Sequence, residues 1–168
     1  MGGALTVVAI APNVIGALRQ LDPALARQKN VRSRIQETLW RMQRNGLITL
    51  PTTSRGRVEL LPKGEQLIER LEGGSYTIPK PLIWDGKWHV VMFDVAERRR
   101  RIRDELRTLL KKAGLYRLHD SVWVYPYSCG ELVTIIKAHL KNVRGEIHYF
   151  SGDLLESDRY LREYFQLT

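Results

Sequence analysis

The stretch Trp88-His89-Val90-Val91-Met92-Phe93-Asp94-Val95, followed directly by residues 97–113, decides the fold of this chain. The first segment predicts a strand that is largely apolar on both faces. The second segment predicts an amphipathic helix that ends at Gly114, because glycine commonly follows the last helical turn. Its apolar residues recur at helical spacing: Ile102, Leu106, Leu109, Leu110 and Ala113.

Further elements follow this strand and helix at regular spacing. Residues 115–119 and 121–125 are strand-like, residues 131–141 predict a helix, and residues 146–150 predict a last strand. Residues 155–165 predict a terminal helix. The resulting order β-α-β-β-α-β is that of a ferredoxin-like domain, so we expect an α+β fold in this half.

The preceding half has a different pattern. Residues 31–46 predict a helix, since Val31, Ile35, Leu39 and Met42 recur at helical spacing before Gly46. Residues 47–50 predict a short strand, the segment 51–56 a turn, and Val58 with Leu60 a return strand. Pro62 then opens a short helix.

This order resembles a winged helix-turn-helix domain, on the segments Leu39-Trp40-Arg41-Met42-Gln43-Arg44-Asn45-Gly46-Leu47-Ile48 and Val58-Glu59-Leu60-Leu61-Pro62-Lys63-Gly64-Glu65. In that family a recognition helix enters the major groove and the wing contacts phosphate or the minor groove. The alternative is a basic helix whose arginines face water. The resemblance implies recognition-helix contacts by Arg32, Ser33, Gln36 and Arg44, and wing contacts by Arg55 and Arg57.

A second resemblance covers the chain from about Val31 to Phe150. It is carried by Trp84-Asp85-Gly86-Lys87-Trp88, Phe93-Asp94-Val95-Ala96-Glu97, Arg103-Asp104-Glu105-Leu106, Gly114-Leu115 and Ser121-Val122-Trp123-Val124-Tyr125-Pro126. Together they resemble PaaX-type transcriptional regulators, whose ferredoxin-like central domain is similar to the CRISPR-associated protein family two. The resemblance implies a repressor-type regulator that binds double-stranded DNA as a homodimer.

Asp94 has two interpretations. In the CRISPR-associated relatives an aspartate that ends the first strand is the proposed metal ligand, which implies a second function for this chain. Two Asp94 side chains across a dimer axis would hold Mg²⁺ for phosphodiester cleavage, or the dimer would form the core of a spacer-integration complex with an integrase partner. The alternative, which we prefer at this point, is structural: Asp94 and Glu97 have the spacing of a capping box.

The positive charges of the run Arg98–Arg101 are unfavourable at the start of the predicted helix. Cations at a helix N-terminus oppose the helix dipole, so these residues either contact phosphate or pair with acids such as Glu97 and Asp104. We expect Arg98, Arg99 and Arg101 to contribute to nucleic-acid binding.

Composition narrows the class of protein. The chain has 168 residues and a formal net charge of +9, and six of those nine charges lie at or before Lys80, which favours a polyanionic partner. One cysteine excludes a disulfide scaffold and a cysteine-based zinc site, and no cofactor is expected. No apolar run reaches the roughly 18 residues of a membrane helix, and a cytoplasmic protein without a membrane partner is expected.

Glycine and proline punctuation suggests the domain boundaries. We predict a winged-helix domain over residues 1–74, a linker over 75–86, and a ferredoxin-like dimerisation domain with a terminal helix over 87–168.

Overall fold

The computed structural model describes residues 29–51, 57–141, 143, 146–153 and 158–167, with side chains from residue 35 onward. These residues form two compact units. The first comprises residues 29–69 and 134–143, and the second comprises residues 70–133 and 146–167. Arg55 and the other residues of the predicted wing tip, 52–56, lie outside the described residues.

The first unit contains a helix, a two-stranded ribbon and the start of a second helix. Helix α1 is Lys29–Arg44, strand β1 is Ile48–Thr49, strand β2 is Glu59–Leu60, and helix α2 is Pro62–Glu72. The strands are antiparallel, with Ile48 opposite Leu60. This confirms the predicted order of elements from residue 29 to residue 72.

Two glycines shape the ends of the helices around this ribbon. Gly46 has a φ of +72°, which lets the chain leave α1 while the Leu47 N–H donates to the Met42 carbonyl at 2.9 Å. Gly64 lies so close to β1 that an added Cβ would sit 2.2 Å from the Leu47 carbonyl oxygen. The apolar side chains buried in this unit include Leu39, Met42, Ile48, Leu50, Val58 and Ile68.

The second unit is built on a four-stranded antiparallel sheet with the order β4-β5-β3-β6. Its strands are β3 Trp88–Phe93, β4 Tyr116–His119, β5 Val122–Tyr125 and β6 Ile147–Gly152. The helices are α3 Arg100–Lys112, preceded by a 3₁₀ turn at Glu97–Arg99, and α5 Asp158–Phe165. Between them, α4 Gly130–His139 begins in this unit, and its residues from 134 onward belong to the first unit. The predicted β-α-β-β-α-β order is confirmed, and the sheet is compatible with a ferredoxin-like domain.

One face of this sheet is only partly covered. The register places Val90 opposite Phe150 and Met92 opposite His148, so these four side chains share a face. Leu161 of α5 is buried with Trp88, Val90 and Val124 at one end of that face. At the other end of β3 Met92 is 41% exposed, and on the edge strand β6 Phe150, opposite Val90, is 48% exposed. The predicted strand with apolar residues on both faces is found, and Met92 is its exposed position.

The described helices give no sign of a membrane span: none of them is long and apolar enough to cross a bilayer.

Candidate functional site: the end of β3 and the arginine run

Asp94 lies directly after β3 and is held there by its backbone. Its N–H donates to the Glu146 carbonyl at 2.8 Å, and the preceding Phe93 N–H donates to the Ser121 carbonyl at 3.0 Å. These bonds extend the pairing of β3 with both neighbouring strands. The Asp94 side chain is exposed, and its carboxylate has no hydrogen bond or ion pair among the residues that the structure describes. The backbone at Asp94 is therefore fixed, and its carboxylate is available to a partner outside the described residues.

The capping box predicted for Asp94 and Glu97 is wrong. The N-cap of the 3₁₀ turn is Ala96, which is extended (φ −53°, ψ 145°), and no side chain caps that turn. Asp94 lies two residues before this N-cap, so its carboxylate is not in the capping position. Glu97 instead pairs with Arg103, at 2.5 Å between the carboxylate and Nη1. That hydrogen bond lowers the pKa of Glu97.

Some arginines of the run pair with acids of the same chain. Arg99 contacts both Glu146 carboxylate oxygens at 2.7 Å through Nη1, and Arg100 lies 3.5 Å from the Asp104 carboxylate. The Arg99 and Glu146 side chains are only 22% and 26% exposed, so this pair is partly shielded from water. It fixes the start of α3 to the start of β6. Glu146 was not identified from the sequence, because it lies 47 residues from Arg99 and only the pairing of β3 with β6 brings it close.

Two arginines of the run are left for other partners. Arg98 and Arg101 are exposed, and neither has an ion pair with a described residue. The end of β3 therefore displays one unpaired carboxylate and, within seven residues of sequence, two unpaired guanidinium groups. Arg99, the third arginine predicted to contact DNA in this unit, forms an ion pair with Glu146.

The residues predicted to contact DNA in the first unit are only partly described. Gln36 is half-buried in α1, Arg44 is exposed in its last turn, and Arg57 is exposed just before β2. Arg32 and Ser33 belong to α1 by their backbone, but their side chains lie outside the described residues. Their predicted contacts stay predictions.

A buried polar group that the sequence did not predict lies on the opposite face of the sheet. The Tyr149 hydroxyl is 2.7 Å from Nδ1 of His89, and the two rings are stacked 5.8 Å apart. Burial lowers the pKa of His89 and raises that of the neighbouring Cys129 to about 12. A thiol with a raised pKa stays protonated at neutral pH, which disfavours a nucleophilic role for Cys129.

Comparison with known proteins adds one finding. Residues 81–162 match the family model of the PaaX protein central Cas2-like domain. The matched segment contains the four strands of the sheet, Asp94 and the arginine run. No curated protein gives a significant match to the chain. Residues 81–162 are thus similar to the central Cas2-like domain of PaaX proteins, and the match supports a PaaX-like family for this chain.

Proposed function

We propose that this protein is a repressor-type transcriptional regulator of the PaaX-like class that binds double-stranded DNA as a homodimer. The observation that carries the proposal is the match of residues 81–162 to the PaaX central domain. Since a domain of this fold serves many functions, the DNA-binding part of the proposal depends on the preceding residues.

The first unit supports DNA binding through its order of elements and its charge. Helix α1, the antiparallel ribbon and helix α2 follow one another as in a winged helix. Arg44 and Arg57 are exposed at the last turn of α1 and beside the ribbon, where phosphate contacts are expected. Two-fold symmetry of the homodimer predicts a roughly palindromic operator.

The sheet unit supplies a second set of DNA contacts in this proposal. Arg98 and Arg101 are exposed and unpaired among the described residues, so they are available for phosphate. To contact phosphate, Arg99 would have to break its partly shielded ion pair with Glu146. We therefore assign Arg99 a structural role rather than a DNA contact. The predicted set of arginines in this unit therefore narrows to Arg98 and Arg101.

The experiment is a titration of promoter fragments followed by fluorescence polarisation at several salt concentrations. The logarithm of the binding constant should fall linearly with the logarithm of the salt concentration, with a slope of about 0.9 for each phosphate contact. An arginine that contacts phosphate does so twice in a dimer, so the Arg98→Gln or Arg101→Gln variant that loses this contact should reduce the slope by about 1.8. Arg159→Gln is the matched control, because Arg159 is an exposed arginine of α5 that pairs with Glu163. Equal affinity for every fragment would refute sequence-specific regulation, and unchanged slopes in both variants would refute the phosphate contacts of Arg98 and Arg101.

A second candidate function is a metal-dependent nuclease or the dimeric core of a spacer-integration complex. The observation that favours it is the free carboxylate of Asp94, which is not needed as a helix cap. Carboxylate oxygens suit Mg²⁺, which commonly takes one or two of them together with water, so two Asp94 side chains of a dimer fit as ligands. Bound there, Mg²⁺ would supply an activated water.

The nuclease candidate is tested by incubating DNA and RNA with Mg²⁺ or with chelator. Cleavage that requires Mg²⁺ and disappears in Asp94→Asn would support it, with Asp153→Asn as a matched exposed aspartate. Absence of cleavage leaves the integration role, which predicts co-purification with an integrase. If neither cleavage nor a bound integrase is found, this candidate fails.

A further inference from the structure

The uncovered part of the sheet is an apolar surface next to an unpaired charge. Met92 and Phe150 lie diagonally across β3 and β6 on the same face, and we call them the Met92–Phe150 patch. Asp94 continues the alternation of β3, because its N–H bond to the Glu146 carbonyl is the next step of the same pairing. Asp94 therefore lies at the border of the patch, on the same side of the sheet as Met92.

An exposed Met92 is unusual because β3 has a neighbouring strand on both sides. Central strands ordinarily bury their apolar side chains, and clustered exposed apolar residues mark association surfaces. The patch alone does not identify its partner. The exposed charges that follow β3 in sequence narrow the choice.

The unpaired charges of this region are of opposite sign and complement one another. Asp94 has no cation among the described residues, and Arg98 and Arg101 have no acid, whereas Arg99 and Arg103 each hold one. In a two-fold symmetric contact, residue i of one copy meets residue j of the other and the reverse contact occurs automatically. A second copy of this chain therefore supplies what each unpaired group lacks.

We propose that Asp94 is a dimer-interface residue whose carboxylate pairs with the arginine run of a second copy, at Arg98 or Arg101, around the Met92–Phe150 patch. This inference rests on the proposed homodimer and gives Asp94 a role other than metal ligand or helix cap. It also differs from the metal site in geometry: a shared Mg²⁺ needs the two Asp94 side chains to face each other, whereas the ion pair needs Asp94 to face arginine.

The test is a charge exchange followed by sedimentation velocity. Asp94→Arg places arginine against arginine in its own dimer, and Arg98→Asp/Arg101→Asp places aspartate against aspartate. Like charges across an interface cost enough to weaken each homodimer at least about 100-fold. Mixing the two variants makes both contacts complementary again, so a heterodimer should form with affinity near that of the wild type. Circular dichroism of each variant verifies folding, which these exposed positions should tolerate.

The outcomes separate this inference from the homodimer itself. A wild-type protein that is monomeric at tens of micromolar overturns both the homodimer and the ion pair. A dimeric wild type with an equally dimeric Arg98→Asp/Arg101→Asp variant overturns only the ion pair. If Asp94→Arg associates with the wild type as tightly as with the double variant, Asp94 faces Asp94 and the inference is also overturned. Loss of both homodimers with recovery in the mixture supports it.

Discussion

Gly64 is the position where the structure predicts the largest effect of a single added methyl group. The Cβ of alanine at this site would lie 2.2 Å from the Leu47 carbonyl oxygen, whereas ordinary contact begins at 3.4 Å. The chain must therefore separate α2 from β1 by about 1 Å. The obstructing atom belongs to the backbone, so no side-chain rotation relieves the clash.

The Leu47 carbonyl also accepts a backbone hydrogen bond, which adds to the expected loss of stability. Leu47 accepts a hydrogen bond from the Leu61 N–H at 3.0 Å, next to the pairing of β1 with β2. Overpacking costs about 1–3 kcal/mol. A weakened backbone hydrogen bond adds about 1 kcal/mol. We expect Gly64→Ala to lower the free energy of unfolding by about 2–4 kcal/mol, with a fall of about 4–16 °C in Tm.

The assay is urea and thermal unfolding followed by circular dichroism, together with polarisation binding to DNA. Gly152→Ala is the matched control, because a Cβ at Gly152 meets no atom within 4 Å. If Gly64→Ala unfolds at the same urea concentration as Gly152→Ala, the close approach of α2 to β1 is not as described. Loss of DNA affinity in the Gly64 variant alone would further support the proposed role of the first unit in DNA binding.

The structure gives three further predictions. Glu146→Gln should lower the free energy of unfolding by about 1–3 kcal/mol, because it leaves the partly shielded Arg99 without a counter-charge; a thermal melt with an unchanged midpoint would contradict this. Cys129, buried and with its pKa raised to about 12, should react with a thiol reagent at pH 8 only after unfolding in urea, so rapid labelling of the folded protein would contradict its burial. Hydrogen bonds from Arg162 and the Trp88 indole lower the pKa of Asp158, so they stabilise the fold above about pH 4 and this stabilisation is lost as the pH falls below that. In Asp158→Asn the free energy of unfolding should therefore fall less steeply with decreasing pH, and an unchanged pH dependence would argue against these bonds.

The periodicity of apolar residues predicted the elements of both units well. Leu106, Leu109 and Leu110 are buried in α3 as their spacing indicated. The helix predicted over 31–46 is found at Lys29–Arg44. The spacing of apolar residues predicts which side of a helix or strand is buried, provided that one face of the element packs against a core.

Residue spacing did not predict the features that depend on other parts of the chain. Asp94 and Glu97 have capping-box spacing, yet Ala96 is the N-cap of the 3₁₀ turn and Glu97 pairs with Arg103. Met92 belongs to an apolar run, yet α5 covers only part of that face. Neither the local backbone geometry nor the extent of a covering helix is encoded in the spacing of nearby residues.

The arginines near the start of α3 differ in whether they form ion pairs within the described residues. A run of cations at the start of a helix opposes the helix dipole, and the chain offsets that cost for Arg99 and Arg103 with Glu146 and Glu97. It leaves Arg98 and Arg101 uncompensated among the described residues, although Asp94 lies nearby in sequence and is equally unpaired. In the two proposals made above their partners are phosphate and a second copy of the chain, which would compete for the same guanidinium groups. If one arginine binds Asp94 across the dimer, the other is left for DNA, so Arg98→Gln and Arg101→Gln should differ in which of the two properties they impair.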